Sequence, residues 1–215
     1  MKKLFFAVVL TALTVTTLNA QKFGAKAGLN IAKYNYSGEN TSEVNDKLKS
    51  LIGFHVGGFA EFEITEKFAF QPELLYSAQG VKSENSDTVL GVVYSSESTI
   101  KTSYINIPLM AKYYVIEGLS VQAGPQVGFL MSADATTSNS TGGITQNSTS
   151  TDVKDQYKGI DFGLNFGVGY KLDFGLFFDA RYNLGLSDLA DKRVDGDDNK
   201  STNRVIQISV GYSFN

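Results

Sequence analysis

This sequence predicts an all-β fold, an eight-stranded antiparallel up-and-down transmembrane β-barrel, and three observations lead there. Apolar side chains recur at every second position through eight segments between Phe23 and Phe214. That period sends successive side chains to opposite faces of a strand. The connectors are alternately long and short, which puts every tight turn at one end and every long loop at the other. The face opposite the apolar one is rich in glycine, including Gly24, Gly28, Gly57, Gly124, Gly128, Gly163, Gly167, Gly169, Gly185 and Gly211. Small residues suit a narrow lumen and would weaken a water-facing sheet.

The first element is a leader. Lys2 and Lys3, an apolar run from Leu4 to Leu18, and Leu18-Asn19-Ala20 ahead of Gln21 follow the order of a secretory signal peptide. Residues 1–20 are assigned to export, through a cleaved signal, and 21–215 to one barrel domain. The chain has no Cys, which excludes disulfides, thiolate metal sites and lipoprotein attachment. A net charge of −3 argues against a nucleic-acid partner.

The strands are predicted at 22–34, 53–64, 68–81, 102–115, 119–132, 159–172, 175–187 and 204–215. In order, their apolar faces begin with Phe23, Leu29 and Ile31, then Phe54, Phe62 and Ile64, then Phe68, Phe70, Leu74 and Tyr76. The middle pair carries Ile105, Ile107, Leu109 and Tyr113, and Leu119, Val121, Val127 and Phe129. The last three carry Phe162, Leu164 and Phe166; Phe178, Tyr182 and Leu184; and Ile206, Ile208 and Val210. Connectors 65–67, 116–118 and 173–174 are hairpin turns, so their flanking strands run antiparallel. Connectors 35–52, 82–101, 133–158 and 188–203 are long and polar, and 133–158 is expected to be a mobile surface loop.

Two barrels compete for this pattern: a soluble lipocalin-like carrier with an apolar interior, and a membrane barrel with an apolar exterior. An eight-stranded barrel has an interior just wide enough for side chains to fill. The bulky apolar face would overfill it, so that face points out into lipid. Phe62, Phe68, Phe70, Tyr113, Tyr170, Tyr212 and Phe214 cluster near the short turns, as an aromatic girdle would.

Phe23-Gly24-Ala25-Lys26-Ala27-Gly28-Leu29-Asn30, Phe70-Gln71-Pro72-Glu73-Leu74-Leu75-Tyr76-Ser77 and the run from Tyr104 to Tyr114 resemble the first, third and fourth strands of a known family. It is the outer-membrane β-barrel family common in Bacteroidetes, often labelled PorT-like. The ending Val210-Gly211-Tyr212-Ser213-Phe214 resembles the aromatic signal read by the barrel-assembly machinery, with Asn215 added after it. The resemblance implies outer-membrane insertion by that machinery and an accessory role in protein secretion.

The polar face holds Lys26, Glu61, Glu63, Glu73, Lys112, Lys171, Asp179 and Arg181 in the half near the short turns, with Asp161 nearer the long loops. Near-balance of charge in a narrow lumen reads as a salt-bridged plug, because an unpaired charge there is costly. An ion pathway with charged walls is the alternative. The single His, His55, gives no Ser/His/Asp set, so no catalytic residues, cofactor or metal are assigned. Asp195-Gly196-Asp197-Asp198-Asn199 starts like a calcium loop but has Lys200 where Gly is needed and Ile206 in place of the bidentate Glu. The expected protein is a non-enzymatic integral outer-membrane barrel with a plugged polar lumen and a structural or surface-binding role. Expected partners are outer-membrane lipid, the assembly machinery and an unknown extracellular ligand of the long loops. Accessory secretion component, narrow porin-like channel and soluble carrier are the alternatives.

Overall fold

Period-two alternation produces strands throughout. The structure, a computed structural model, describes residues 21–38, 41–191 and 199–214. Its elements are β1 (Gln21–Ser37), the short helix α1 (Ser42–Lys47), β2 (Leu48–Glu63), β3 (Phe68–Val89), β4 (Val92–Tyr114) and β5 (Leu119–Thr141). They continue with β6 (Ile144–Asp152), β7 (Ile160–Lys171), β8 (Leu176–Gly185) and β9 (Lys200–Phe214). The predicted leader, residues 1–20, and the acidic stretch 195–198 lie outside the described residues.

Eight of these strands form a closed antiparallel ring in the order β1-β2-β3-β4-β5-β7-β8-β9, with β9 returning to β1. The ninth, β6, stands outside the ring and pairs with β5. Up-and-down closure satisfies the backbone of every ring strand on both sides, which is what a sheet needs in lipid. The apolar set points outward, with Leu29, Ile52, Phe54, Leu74, Phe162 and Ile208 among its exposed members. The inward set is mostly polar and buried, with Asn30, Gln71, Asn106, Gln126, Asn165, Asn183 and Gln207 along the axis and Leu75 and Met110 among its few apolar members. The barrel is therefore inside-out relative to a soluble carrier.

Two of the expected loops are strands. Residues 82–101 form the outer part of the β3–β4 hairpin, register-paired from Lys82↔Thr99 out to Val89↔Val92 and turned at Leu90-Gly91. Residues 133–158, expected as a mobile loop, instead extend β5 and add β6, paired from Asp134↔Asp152 to Thr141↔Ile144. The turn there is Gly142-Gly143 at φ +58° and +81°, the left-handed pair of a two-residue hairpin turn. A Ser/Thr/Asn tract forms strands here because cross-strand hydroxyl pairs and β-branched threonine stand in for apolar packing. Thr136 meets Ser150 at 3.3 Å and Ser138 meets Ser148 at 3.1 Å. The 35–52 connector is shorter than expected as well, since it holds α1 and the start of β2.

Candidate functional site: lumen, mouth and projecting sheet

The lumen charges gather in two tiers. The inner tier joins Lys26 of β1, Glu73 of β3, and Asp179 and Arg181 of β8. Arg181 sets its two terminal nitrogens on the Glu73 carboxylate at 2.9 and 2.7 Å. Lys26 Nζ lies 3.2 Å from both Glu73 and Asp179, and Arg181 Nε lies 3.5 Å from Asp179. These four side chains are at most 3% exposed, so each acid is compensated by a cation where solvent cannot do so. Gln71 Nε2 donates to Glu73 at 2.6 Å, and Arg181 donates to Gln122 at 2.8 Å.

The outer tier centres on Glu61, which takes Lys112 at 2.5 Å, Lys171 at 3.7 Å and the Tyr114 hydroxyl at 3.0 Å. Seven of the eight charges expected in the lumen are thus brought into these tiers. Glu63 is at the mouth instead, with a 39% exposed side chain paired to Lys22. Sequence reasoning missed the two inward rings beside the inner tier. Phe59 and Phe177 meet edge to face with centroids 5.4 Å apart. Each covers a cross-strand glycine: a Cβ on Gly24 would stand 2.2 Å from the Phe59 ring, and one on Gly211 2.3 Å from Phe177. The signal was available, since both Phe residues stand at inward parity on strands whose other bulky groups point out.

Higher in the lumen, His55 is fixed between Asn30 Oδ1 at 2.9 Å and Ser209 Oγ at 2.8 Å. Ser209 donates to Asp179 at 3.0 Å, which ties this network to the inner tier. Asp161 lies above, accepting from Ser187 at 2.7 Å and Asn203 at 2.8 Å.

The long-loop end is shut by the chain itself. The segment after β6 and the segment after β8 bridge at Tyr157↔Ala190, and Lys158 N–H donates to Leu189 C=O at 2.8 Å. Leu189 packs with Tyr34 and Val81, and Tyr157 links that group to Tyr104, Leu130 and Ala133. The short-turn end is open, a vestibule of about 620 Å³ lined by Lys22, Glu63, Lys67, Tyr114, Lys171 and Asp173, among others. All seven aromatics expected to form a girdle face outward near that end. Phe68 pairs with Tyr113 across β3 and β4, and the Tyr212 and Phe214 rings are 5.7 Å apart.

Beyond the ring, β3, β4, β5 and β6 continue as a four-stranded sheet. Its base is charged: Lys82 bridges Glu84 at 2.9 Å and Glu97 at 2.7 Å, and Lys49 also pairs with Glu84. Hydrogen bonds from Lys49 and Lys82 hold the Glu84 carboxyl down to about 2. Its tip is apolar. Leu90 is 99% exposed at φ +50°, flanked by exposed Val89, Val92 and Val93, with Ile144 exposed at the neighbouring turn. A non-glycine residue in the left-handed region stores strain.

No curated protein matches this sequence. Among solved structures, the attachment invasion locus protein Ail of Yersinia pestis, crystallised with the heparin analogue sucrose octasulfate, is 12% identical, with 91% of this chain and 99% of that one covered at a TM-score of 0.42. Neisserial surface protein A is 15% identical, with 89% and 97% covered at 0.43. The outer membrane protease OmpT from Escherichia coli is 9% identical, with 93% and 99% covered at 0.35. The family described as outer membrane protein beta-barrel domain matches residues 19–191, which run from the start of β1 past the end of β8. With the inside-out ring in view, that match settles the affiliation: the chain belongs to the outer membrane protein beta-barrel domain family.

Proposed function

We propose that this protein is a sealed outer-membrane barrel that holds a β-sheet out from the cell surface, where the sheet's apolar tip docks an external partner. The observation that carries the reading is the overrun of β3, β4 and β5 beyond the ring, extended by β6 and ending in the strained, fully exposed Leu90. A surface loop with no binding role has no need of exposed valines and a leucine held at the far end of a paired hairpin. In this reading the short turns and both termini are periplasmic and the long connectors face outward, the usual disposition of such barrels. Residues 1–20 direct export and are removed there. The outward aromatics near the short turns anchor the periplasmic interface, and the two charge tiers plug the lumen beneath the apolar lid.

Two measurements test it together. Cells carrying the wild-type barrel are compared with cells carrying Leu90→Ser/Val92→Ser/Val93→Ser for adhesion to a panel of immobilised extracellular proteins. The variant should lose adhesion while keeping the gel-migration difference between boiled and unboiled samples that marks a folded barrel. Planar-bilayer recordings of the wild-type protein should show no steady conductance. Equal adhesion by the two strains overturns the docking role, and stable open channels overturn the plug.

A further inference from the structure

Beneath the lid, oxygen atoms collect without partners. Tyr34, Gln79, Thr102, Tyr104 and Asn203 all point into the upper lumen, each at most 5% exposed. Tyr34 Oη, Gln79 Oε1, Thr102 Oγ1, Tyr104 Oη and Asn203 Oδ1 make no hydrogen bond among the described residues. They are neighbours. Gln79 stands opposite Thr102 across β3 and β4, and Tyr34 opposite Asn203 across β1 and β9. The Tyr34 hydroxyl is turned toward Thr102 and Tyr157, and that of Tyr104 toward Asn203, Thr102 and Tyr157. Buried polar atoms left unpaired are scarce in folded proteins, and five in one place call for a cause.

Asp161 supplies the second observation. It is 8% exposed and faces Tyr104, yet no Lys or Arg reaches it among the described residues, whereas Glu61, Glu73 and Asp179 each have two. Asn203 commits its Nδ2 to Asp161 at 2.8 Å, which leaves Oδ1 for the cluster. A buried carboxylate without a counter-charge is costly.

We propose that these oxygens, with Asp161, form a binding site for one small alkali cation. An all-oxygen set is the choice of hard cations. Oxygens held ~2.4 Å from a hard ion stand about 3.4 Å or more from one another, close enough to face and too far to hydrogen-bond well. Hydroxyls that approach without meeting fit that spacing. One carboxylate balances one positive charge, while a divalent ion would leave a surplus in an enclosed site. Among the described residues no trio of His, Cys, Asp or Glu is placed to hold a metal. The ion would brace β1 and β9 on one side of the lumen against β3 and β4 on the other.

The test uses the full processed protein folded in detergent micelles at constant ionic strength, with NaCl or KCl exchanged for N-methyl-D-glucamine chloride. Thermal unfolding is followed by gel migration and by the near-ultraviolet tyrosine signal, which no Trp obscures. Sodium or potassium should raise the midpoint and saturate. Asp161→Asn should raise the half-saturating concentration about tenfold or more. Tyr104→Phe, which removes the hydroxyl, and Thr102→Val, which exchanges it for a methyl, should each raise it severalfold while the barrel still folds. A midpoint identical in all salts means that water alone, or a protonated Asp161, occupies the site, and overturns the proposal. Unaltered cation dependence in the hydroxyl variants overturns it too, as does a response to CaCl2 alone.

Discussion

Arg181 and Leu90 show how single residues in this protein serve opposite ends. Arg181→Met would leave Glu73 and Asp179 sharing Lys26 as their cation. The expected cost is about 3–5 kcal/mol in urea unfolding from detergent, because a charge is left poorly compensated where water cannot reach. The charge-balanced pair Glu73→Met/Arg181→Met leaves Lys26 with Asp179 and should recover more than half of that loss. Leu90 is strained without being packed. Leu90→Asn, which tolerates the left-handed turn, should stabilise the hairpin by about 0.5–1 kcal/mol, seen as slower amide exchange at Val89 and Val92. The same change should weaken adhesion, a trade expected where strain serves binding. Residue parity made most of the lumen legible from sequence: Lys26, Glu73 and Asp179 are inward because Phe23, Leu74 and Phe178 are outward. The orphaned oxygens were not legible: parity alone sends Tyr34 and Tyr104 inward, but only the register between strands far apart in sequence gathers them with Thr102 and Asn203.

Among the elements, the ring strands could be read and the projecting strands could not. Apolar alternation marks a strand that borders lipid, and it stops where β4 passes from Ile105 to Ser103 and Lys101. Past that point hairpin and loop share one composition of Ser, Thr and Asn, and only the pairing partner separates them. Glu84 gives this exposed sheet a pH dependence. Its carboxyl titrates at about 2 in the fold, below the ordinary 4.5, because Lys49 and Lys82 hydrogen-bond its charged form. Its support is therefore complete above about pH 4.5 and is lost as pH falls toward about 2. Amide protection factors at the base of the β3–β4 hairpin should drop across that window. The drop should shrink at high salt, since these charges face solvent, and flatten in Glu84→Gln.

At the scale of the molecule, the barrel is a cup: lidded at one end by Leu189 and Tyr157, braced by buried ion pairs, and open at the other. The choice of an apolar exterior could be made from the sequence because bulky residues exceed what the lumen of eight strands can hold. The lid could not, because its two segments are apart in sequence and meet only when the ring brings them together.

The ring's seam lies between its first and last strands, register-paired from Phe23↔Phe214 to Ser37↔Lys200. The earliest ribbon to be synthesised must wait for the latest before either has its final neighbour. During that interval the growing sheet has two raw borders, each a template for stray pairing, and a greasy skin with no cylinder to clothe. Closure between such distant partners is slow. Refolding without an escort should therefore lose a share of chains to self-association that grows with protein concentration, until the seam is sewn.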